Sequence, residues 1–312
     1  METSLLVLDS LAILLAIAFL WKGSDWAVDK ASALAARLNL SEVTIGVTVI
    51  AFGTSLPELA ATATSAFKQH GDLALSNVVG SNIFNLGIIL GLAVLVSPLA
   101  VRKESLRRDG FLLLGISLFL LLASLDHRLA RPGGVALLLC LVVYILTLFR
   151  QHGSQPSLAH RGRPPEFTPR DGFILALGLG MVVIGGHLIV EGALGLGAAF
   201  GIPEWALGLS VTAFGTSLPE MVVCITSMVK KKQDILFGNL LGSDIFNFAG
   251  VLGLTCLMRP IQTTQSAVLG LAMLAGSYIL LLIFMRTGWR LSRAEGGIIL
   301  LLSLAREIYF FL

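Results

Sequence analysis

The feature that most constrains the fold of this chain is an internal repeat. Two stretches of the first half match two stretches of the second half without a gap, at a constant offset of 162 residues: SEVTIGVTVIAFGTSLPE (41–58) matches PEWALGLSVTAFGTSLPE (203–220), and NVVGSNIFN (77–85) matches NLLGSDIFN (239–247). Two separate motifs that share one offset indicate a duplication. The chain is therefore expected to contain two copies of one structural repeat.

Apolar runs occupy most of both copies. Charged residues make up only 13% of the chain, against roughly 25% in a soluble domain. A membrane-spanning helix needs about 20 apolar residues, and we identify ten candidate runs, of which the fourth and fifth are short: 5–36, 42–67, 72–97, 110–125, 133–149, 171–197, 203–229, 234–257, 266–285 and 294–312. We predict an all-α integral membrane protein with ten transmembrane helices.

The first run is unusual because Lys22, Asp25, Asp29 and Lys30 interrupt it. As a single helix it would be about 48 Å long, so we expect it to be strongly tilted or to emerge from the membrane as an amphipathic extension. Residues 1–10 lack the basic flank of a signal peptide. The run is therefore predicted to be the first spanning helix rather than a cleaved leader.

The two copies are predicted to have opposite orientations in the membrane. Five spans separate equivalent points, and an odd number means that the second copy enters from the other side. We assign the repeats to residues 1–150 and 171–312, with cores at 41–98 and 203–260, joined by a linker at 151–170. Inverted repeats are typical of secondary transporters, whose substrates bind near the bilayer midplane on discontinuous helices. A duplicated scaffold with no transport role is the alternative.

Basic residues indicate which side faces the cytoplasm. With ten spans, one set of loops and ends holds 17 Lys and Arg residues, and the other set holds 5. Because Lys and Arg mark the cytoplasmic side, both termini are predicted to lie outside and the linker to lie in the cytoplasm. The basic loops are explained by this rule, and we expect no nucleic-acid partner.

Each GTSLPE copy places a proline inside an apolar run. Proline removes one backbone donor and clashes with the carbonyl group four residues earlier, so Pro57 frees the carbonyl of Gly53. Pro219 does the same to Gly215. Helices 2 and 7 are therefore predicted to be interrupted. Irregular backbone is tolerated at membrane depth only where protein buries it or a cavity supplies partners, and a bound cation is one such partner.

Glu58 and Glu220 lie near the middles of their runs, where an ionisable side chain costs at least ~2.5 kcal/mol. Hydroxyl and amide side chains accompany them in both repeats: Thr54, Ser55, Ser81 and Asn85 in the first, and Thr216, Ser217, Ser243 and Asn247 in the second. All of these groups offer oxygen. Ca2+ takes about six to eight oxygen ligands, whereas zinc or copper would require His or Cys. The set predicts a site for Ca2+ or Na+.

A purely structural role is the alternative for these residues. Both glutamates would then be protonated and would hydrogen-bond between helices, while the Ser and Thr residues would serve close packing. Their recurrence at matched positions in both repeats favours the cation site.

The three cysteines, Cys140, Cys224 and Cys256, stand singly in apolar runs without C-x-x-C spacing. This arrangement predicts neither a zinc site nor a disulfide framework. We expect the three side chains to pack as small apolar groups.

These motifs resemble the α-repeats of the Na+/Ca2+ exchanger family, in the cation/Ca2+ exchanger superfamily, and the chain is similar to its short prokaryotic form over its whole length. The resemblance implies a secondary active antiporter of the cell membrane, with no enzymatic activity and no cofactor, that exchanges Na+ for Ca2+ by alternating access. It implies about three Na+ per Ca2+, an electrogenic ratio in which each net charge moved is worth ~2.3 kcal/mol per 100 mV. We expect a monomer.

The resemblance also implies a set of ligands. The Ca2+ site would use the carboxylates of Glu58 and Glu220 with the backbone carbonyls of Thr54 and Thr216. The flanking Na+ sites would use Ala51, Ser81 and Asn85 from the first repeat and Ala213, Ser243 and Asn247 from the second, and Ser55 and Ser217 are further candidate ligands. Because ligands are shared, binding of one ion would exclude the other.

Two positions depart from the pattern. Some relatives, including those that co-transport K+, carry aspartate where this chain has Asn247, so its amide argues against K+ dependence. Asp244 stands where the first repeat has Asn82. It is either a displaced ligand or a residue beside the ligands or at an entrance, and its position one residue off the ligand face favours the second interpretation.

Two rival functions remain. A H+/Ca2+ exchanger would release Ca2+ by protonating the two glutamates, but the related proton-coupled exchangers carry a G-N-x-x-E motif that this sequence lacks. An intramembrane enzyme would use the glutamates as acid and base. The chain contains no H-E-x-x-H, paired-aspartate cluster or nucleophile elbow, and the repeat predicts equivalent ligands rather than distinct acid and base roles.

Overall fold

The computed structural model of this protein describes residues 2–68, 70–125, 128–151, 167–200 and 215–311. These residues are almost entirely helical, with only four strands of two residues each. The all-α fold class is confirmed. The short strands were not predicted, because two-residue segments carry no recognisable period.

The first repeat contains nine described α-helices: α1 (Glu2–Arg37), α2 (Glu42–Ile45), α3 (Ala51–Thr54), α4 (Leu56–Phe67), α5 (Gly71–Phe84), α6 (Leu90–Val96), α7 (Lys103–Ser105), α8 (Phe111–Ser124) and α9 (Arg131–Gln151). Three π-helical segments lie between them: Gly46–Ile50, Asn85–Ile89 and Leu106–Gly110. Its strands are β1 (Leu99–Ala100) and β2 (Arg128–Leu129).

The described part of the second repeat contains α10 (Pro169–Ala199), α11 (Leu218–Val229), α12 (Gln233–Ile245), α13 (Gly253–Met258), α14 (Gln265–Arg286) and α15 (Arg293–Phe311). A π-helical segment, Phe246–Leu252, lies between α12 and α13, and the strands are β3 (Ile261–Gln262) and β4 (Arg290–Leu291).

Membrane-spanning length is found in six described helical stretches, or in seven if Glu42–Thr54 and Leu56–Phe67 form one interrupted span. Each of the ten predicted runs contains a described helix. The run at 203–229 is described only from residue 215 onward. The membrane architecture is confirmed, while the number of ten spans stays a prediction.

The described chain forms two compact units, and each takes in parts of both repeats. The first unit comprises Met1–Pro57 and Ser154–Asn239, and the second comprises Glu58–Gly153 and Leu240–Leu312. Helices of the two repeats pack together inside each unit, so these boundaries differ from those of the repeats. The assignment of 1–150, 151–170 and 171–312 stays a prediction, and most of the linker lies outside the described residues.

In the first unit, α1 packs along α10, its equivalent in the second repeat. Ala27, Ala31 and Ala35 recur every four residues on α1 and are almost completely buried, so small side chains form the stripe along which the helices approach. The surrounding core consists of Leu20, Val28, Leu40, Ile45, Ile50, Leu175, Val182, Val223 and Ile235.

The charged residues that interrupt the first apolar run have partners in the same unit. The Nζ atom of Lys230, just after α11, lies 2.6 Å from Asp25 and 2.7 Å from Asp29, and Lys30 lies 2.5 Å from Asp171 of α10. Partial burial disfavours the charge of Lys230, but its bonds to Asp25 and Asp29 outweigh burial and raise its pKa. These pairs explain why α1 carries charges within a long apolar helix.

The strands of the second unit exchange partners under the repeat offset. Leu99 of β1 pairs with Leu291 of β4, and Leu129 of β2 pairs with Ile261 of β3. Adding 162 to Leu99 and to Leu129 gives the two partner positions in exchanged order. This is the pattern expected of repeats related by a two-fold axis within the unit.

Helix contacts in the second unit follow the same exchange. A methyl group added to Gly91 of α6 would lie 3.2 Å from the carbonyl oxygen of Gly296 in α15, and one added to Gly253 of α13 would lie 3.3 Å from that of Gly134 in α9. Gly253 is equivalent to Gly91, and Gly296 to Gly134. Glycine is required at these positions because the helix backbones touch.

Candidate ion-binding site

Both GTSLPE copies interrupt a helix at their serine. In the first copy α3 ends at Thr54, Ser55 adopts φ −83° and ψ 6°, and α4 begins at the next residue. In the second copy Ser217 adopts φ −92° and ψ 4° directly before α11. The predicted interruption is found at both positions, and the proline two residues later explains it because it cannot donate to the preceding turn.

The interruption gives each glutamate a special place. Glu58 and Glu220 are the third residues of α4 and α11, and both are completely buried. The amino end of a helix carries a partial positive charge that favours carboxylates by roughly 0.3–1 kcal/mol. A break followed by glutamate therefore reduces the cost of a buried negative charge without removing it.

In the first unit, Ser55 Oγ donates a hydrogen bond to Glu220 Oε1 at 3.3 Å. The structure thus brings together residues from the two motif copies, which are 165 positions apart. Because Ser55 holds this carboxylate, it positions the glutamate in addition to being a candidate ligand.

The hydroxyl of Thr54 is directed at the protein itself. Its Oγ1 lies 3.2 Å from the backbone oxygen of Ile50 and 3.4 Å from Oδ1 of Asn239. Of the remaining candidates in this unit, Ala51 and Ser217 are buried and Thr216 is partly buried. Ala213 lies outside the described residues. The engagement of the Thr54 hydroxyl is compatible with the predicted role of its backbone carbonyl.

In the second unit the amides of Asn85 and Asn247 are buried and held by their nitrogen atoms. Asn85 Nδ2 donates to Asp244 Oδ1 at 3.1 Å, and Asn247 Nδ2 donates to Asn82 Oδ1 at 2.9 Å. Their Oδ1 atoms are fully buried and accept no hydrogen bond from the described part of the chain. An unsatisfied buried acceptor costs about 1–3 kcal/mol, which a bound cation would offset. Ser81 and Ser243 are also buried in this unit.

Helix geometry also changes at these amides. The π-helical segment Asn85–Ile89 begins at the first asparagine, and the segment Phe246–Leu252 contains the second. A third such segment, Gly46–Ile50, directly precedes Ala51. Wider π turns are frequent at functional sites because they redirect side chains and carbonyl groups. Sequence periodicity did not indicate them.

The family follows from comparison with known proteins. The sequence matches the family described as "Sodium/calcium exchanger protein" over residues 9–150 and 172–306. This chain belongs to the sodium/calcium exchanger family. The resemblance identified from the motifs is confirmed, and the exchanger is a multi-pass membrane protein.

Individual relatives extend the match over nearly the full length. The exchanger is 30% identical to the sodium/calcium exchanger MaX1 of Methanosarcina acetivorans, over 98% of this chain and 99% of that protein. It is 36% identical to the inner membrane protein YrbG of Escherichia coli, over 76% of both chains. A solved structure of the sodium-calcium exchanger NCX_Mj, soaked with Na+ and Sr2+, matches with a TM-score of 0.85 at 28% identity, covering 96% of this chain and 98% of that one. These relatives are transporters rather than enzymes.

Two asparagines of the exchanger were not among the predicted site residues. Asn77 Nδ2 donates to Thr62 Oγ1 at 2.9 Å and lies 3.4 Å from the backbone oxygen of Glu58. Its equivalent, Asn239, lies 3.5 Å from Sγ of Cys224, the residue equivalent to Thr62. Their repetition at the offset of 162 residues was the available signal. Each asparagine ties the helix after the GTSLPE motif to the next one.

Proposed function

We propose that the exchanger is a secondary active antiporter that moves Na+ and Ca2+ in opposite directions across the cell membrane. The observation that carries this proposal is the pair Glu58 and Glu220, each fully buried at the start of a helix that follows a GTSLPE interruption. Buried carboxylates at membrane depth are costly unless positive charge accompanies them. The name of the relative MaX1 supports Na+ and Ca2+ as the ions.

The ligands are assigned as the repeat predicts. Ca2+ is bound by the carboxylates of Glu58 and Glu220 and the backbone carbonyls of Thr54 and Thr216. Na+ is bound by two equivalent groups, with the glutamates shared: Ala51, Ser81 and Asn85, and Ala213, Ser243 and Asn247. The buried amide oxygens of Asn85 and Asn247 support this assignment, because each lacks a donor among the described residues. Ser55 holds Glu220 in place.

Shared carboxylates make the two ions compete, which is what exchange requires. Two ionised glutamates balance one Ca2+, whereas about three Na+ would leave one net positive charge, and moving that charge is worth ~2.3 kcal/mol per 100 mV. The exchange is therefore electrogenic. Alternating access is supported by the exchanged contacts of equivalent residues within the second unit, since such repeats can adopt two equivalent arrangements.

Orientation, oligomeric state and K+ independence belong to the same proposal. The basic loops place both termini outside and the linker in the cytoplasm, and the exchanger acts as a monomer. The amide at Asn247 makes transport independent of K+.

Reconstituted protein tests the proposed function. Proteoliposomes loaded with Na+ are diluted into medium containing radioactive Ca2+, with Na+, K+ and H+ gradients imposed separately. We expect Ca2+ uptake that follows the Na+ gradient alone and that is accelerated by a membrane potential of the sign that favours an electrogenic cycle. Uptake that follows a proton gradient and ignores Na+ would favour the H+/Ca2+ alternative and refute the proposal.

The glutamates are tested by Glu58→Gln and Glu220→Gln. Removing one charged partner of a buried ion costs about 3–5 kcal/mol, so each variant should lower uptake by at least ~100-fold while retaining its elution profile in size-exclusion chromatography. Glu191→Gln is the matched control, because Glu191 lies within α10 and is exposed; its uptake should match the parent. Near-normal transport by either test variant would show that the buried carboxylates are structural.

A further inference from the structure

A hydrogen-bond network in the second unit centres on Asp244, near the end of α12. Asp244 is buried, and each of its carboxylate oxygens accepts a hydrogen bond. Oδ1 accepts from Asn85 Nδ2 at 3.1 Å, and Oδ2 accepts from the hydroxyl of Tyr278 in α14 at 2.8 Å. The Tyr278 ring is itself buried and packs edge-on against Phe248, with ring centroids 6.3 Å apart. Both partners of the carboxylate are thus fixed by the fold.

The equivalent residue of the first repeat, Asn82, makes the equivalent contact. Its Oδ1 accepts from Asn247 Nδ2 at 2.9 Å, as Asp244 accepts from Asn85. Asn82 Nδ2 lies 3.2 Å from the backbone oxygen of Asp244 and 3.4 Å from the Tyr278 hydroxyl. The contact therefore occurs twice, once with a carboxylate acceptor and once with an amide acceptor.

One ionised group sets the direction of every hydrogen bond in this network. A carboxylate can only accept, so Asn85 must present its nitrogen to Asp244 and Tyr278 must donate to it. The tyrosine oxygen is then left as an acceptor for Asn82 Nδ2, which turns Asn82 Oδ1 toward Asn247. Such chains strengthen one another because each bond polarises the next.

The outcome is that both ligand amides present oxygen, not nitrogen, on the side away from the network. Those two atoms, Asn85 Oδ1 and Asn247 Oδ1, are the buried amide oxygens without a donor in the described part of the chain. A flipped amide would point its NH2 group at the ion and repel it. The carboxylate is committed to two protein donors, which accounts for an acidic residue one position off the ligand face.

We propose that Asp244, Tyr278 and Asn82 are positioning residues that orient the Asn85 and Asn247 amides for Na+, and that Asp244 is not itself an ion ligand. This inference rests on the proposed function only in taking the two amides as Na+ ligands. It predicts that the network controls the affinity for Na+ and leaves the affinity for Ca2+, which is assigned to the glutamates, nearly unchanged.

The test compares ion binding by Tyr278→Phe and Tyr144→Phe. Phenylalanine keeps the buried ring but removes the hydroxyl that passes the direction set by Asp244 to Asn82. Tyr144 is the matched control, because it is buried in the same unit and its hydroxyl also donates to a buried carboxylate, Asp109 Oδ1, at 2.8 Å, without touching an asparagine. Apparent dissociation constants come from the thermal stabilisation of detergent-solubilised protein by NaCl, against choline chloride, and by CaCl2.

We expect Tyr278→Phe to raise the apparent dissociation constant for Na+ by about three- to tenfold, with the Ca2+ constant within a factor of about two of the parent. Tyr144→Phe should leave both constants unchanged. In Asp244→Asn the acceptor oxygen is retained but its orientation is no longer enforced, so Na+ binding should weaken and Ca2+ binding should not. Combining Asp244→Asn with Tyr278→Phe should add little to the larger single effect, because both act through one chain of bonds.

Two results would overturn the inference. An unchanged Na+ constant in Tyr278→Phe would show that the network does not orient the ligands. An equal loss of Ca2+ affinity in Asp244→Asn would show that this carboxylate contributes its charge as a ligand. These titrations need no transport, so a parent protein that binds Na+ but fails to exchange it for Ca2+ in proteoliposomes would remove the proposed function while the Na+ constants still decide this inference.

Discussion

The contact between α12 and the helical segment that leads into the first GTSLPE motif leaves no room for a side chain at Gly238. A methyl group at this position would lie 2.5 Å from the carbonyl oxygen of Val43 and 3.0 Å from its Cα atom. A methyl group at Gly46, on the other side of the contact, would lie 2.9 Å from the carbonyl oxygen of Ile235. Since all of these neighbours are backbone atoms, Gly238→Ala can be accommodated only if the two segments move apart by about 1 Å.

The size of the effect follows from two opposing terms. Overpacking of a close contact typically costs about 1–3 kcal/mol, and alanine recovers about 0.5–1 kcal/mol of helix propensity relative to glycine. A net loss of about 1–2 kcal/mol should lower the melting temperature by roughly 2–8 °C. The next residue, Asn239, contacts the Thr54 hydroxyl at 3.4 Å, so displacement of α12 should also slow Ca2+ uptake.

Gly80→Ala is the matched control for this experiment. Gly80 lies within α5, and a methyl group there would have no neighbour within 4 Å, so its melting temperature should equal or slightly exceed that of the parent. Both variants are heated in the same detergent, and the monodisperse fraction is followed by size-exclusion chromatography with fluorescence detection. Equal melting temperatures for the two variants, within about 1 °C, would refute the argument that the backbones are in contact at Gly238.

Two further changes test the site and the packing around it. Ser55→Ala removes the hydroxyl that donates to Glu220 Oε1 at 3.3 Å, and because a hydrogen bond to a charged group contributes about 1.5 kcal/mol at the lower end, the Ca2+ concentration for half-maximal uptake should rise by roughly tenfold; an unchanged value would mean that Ser55 does not hold this carboxylate. N-ethylmaleimide should label Cys140, which is partly exposed, well before the buried Cys224 and Cys256; mass spectrometry of timed samples checks the order, and early labelling of either buried thiol would contradict the described packing.

Sequence reasoning was strongest where the chemistry of single residues decides the outcome. Proline cannot donate to the preceding turn, so the breaks at Ser55 and Ser217 followed from the position of Pro57 and Pro219 alone. Burial of Glu58 and Glu220 likewise followed from their place in apolar runs. The repeat at an offset of 162 residues indicated which residues would share a role.

The sequence could not show which groups face each other. The bond from Ser55 to Glu220 and the bond from Asn85 to Asp244 join residues about 160 positions apart, and no local pattern records such pairs. The π turns at Asn85 and Asn247 were equally hidden, because one widened turn barely alters the spacing of apolar residues.

Asp244 shows where the two kinds of information divide. From the sequence it was an acidic residue beside the ligand face with two possible roles. The tertiary structure places Tyr278 and Asn85 on its two oxygens, and these contacts favour a supporting role because a carboxylate can only accept. Residue type and repetition therefore determined which chemical groups the site contains, whereas the direction in which each amide presents its oxygen depends on hydrogen bonds between helices that meet only in the folded protein.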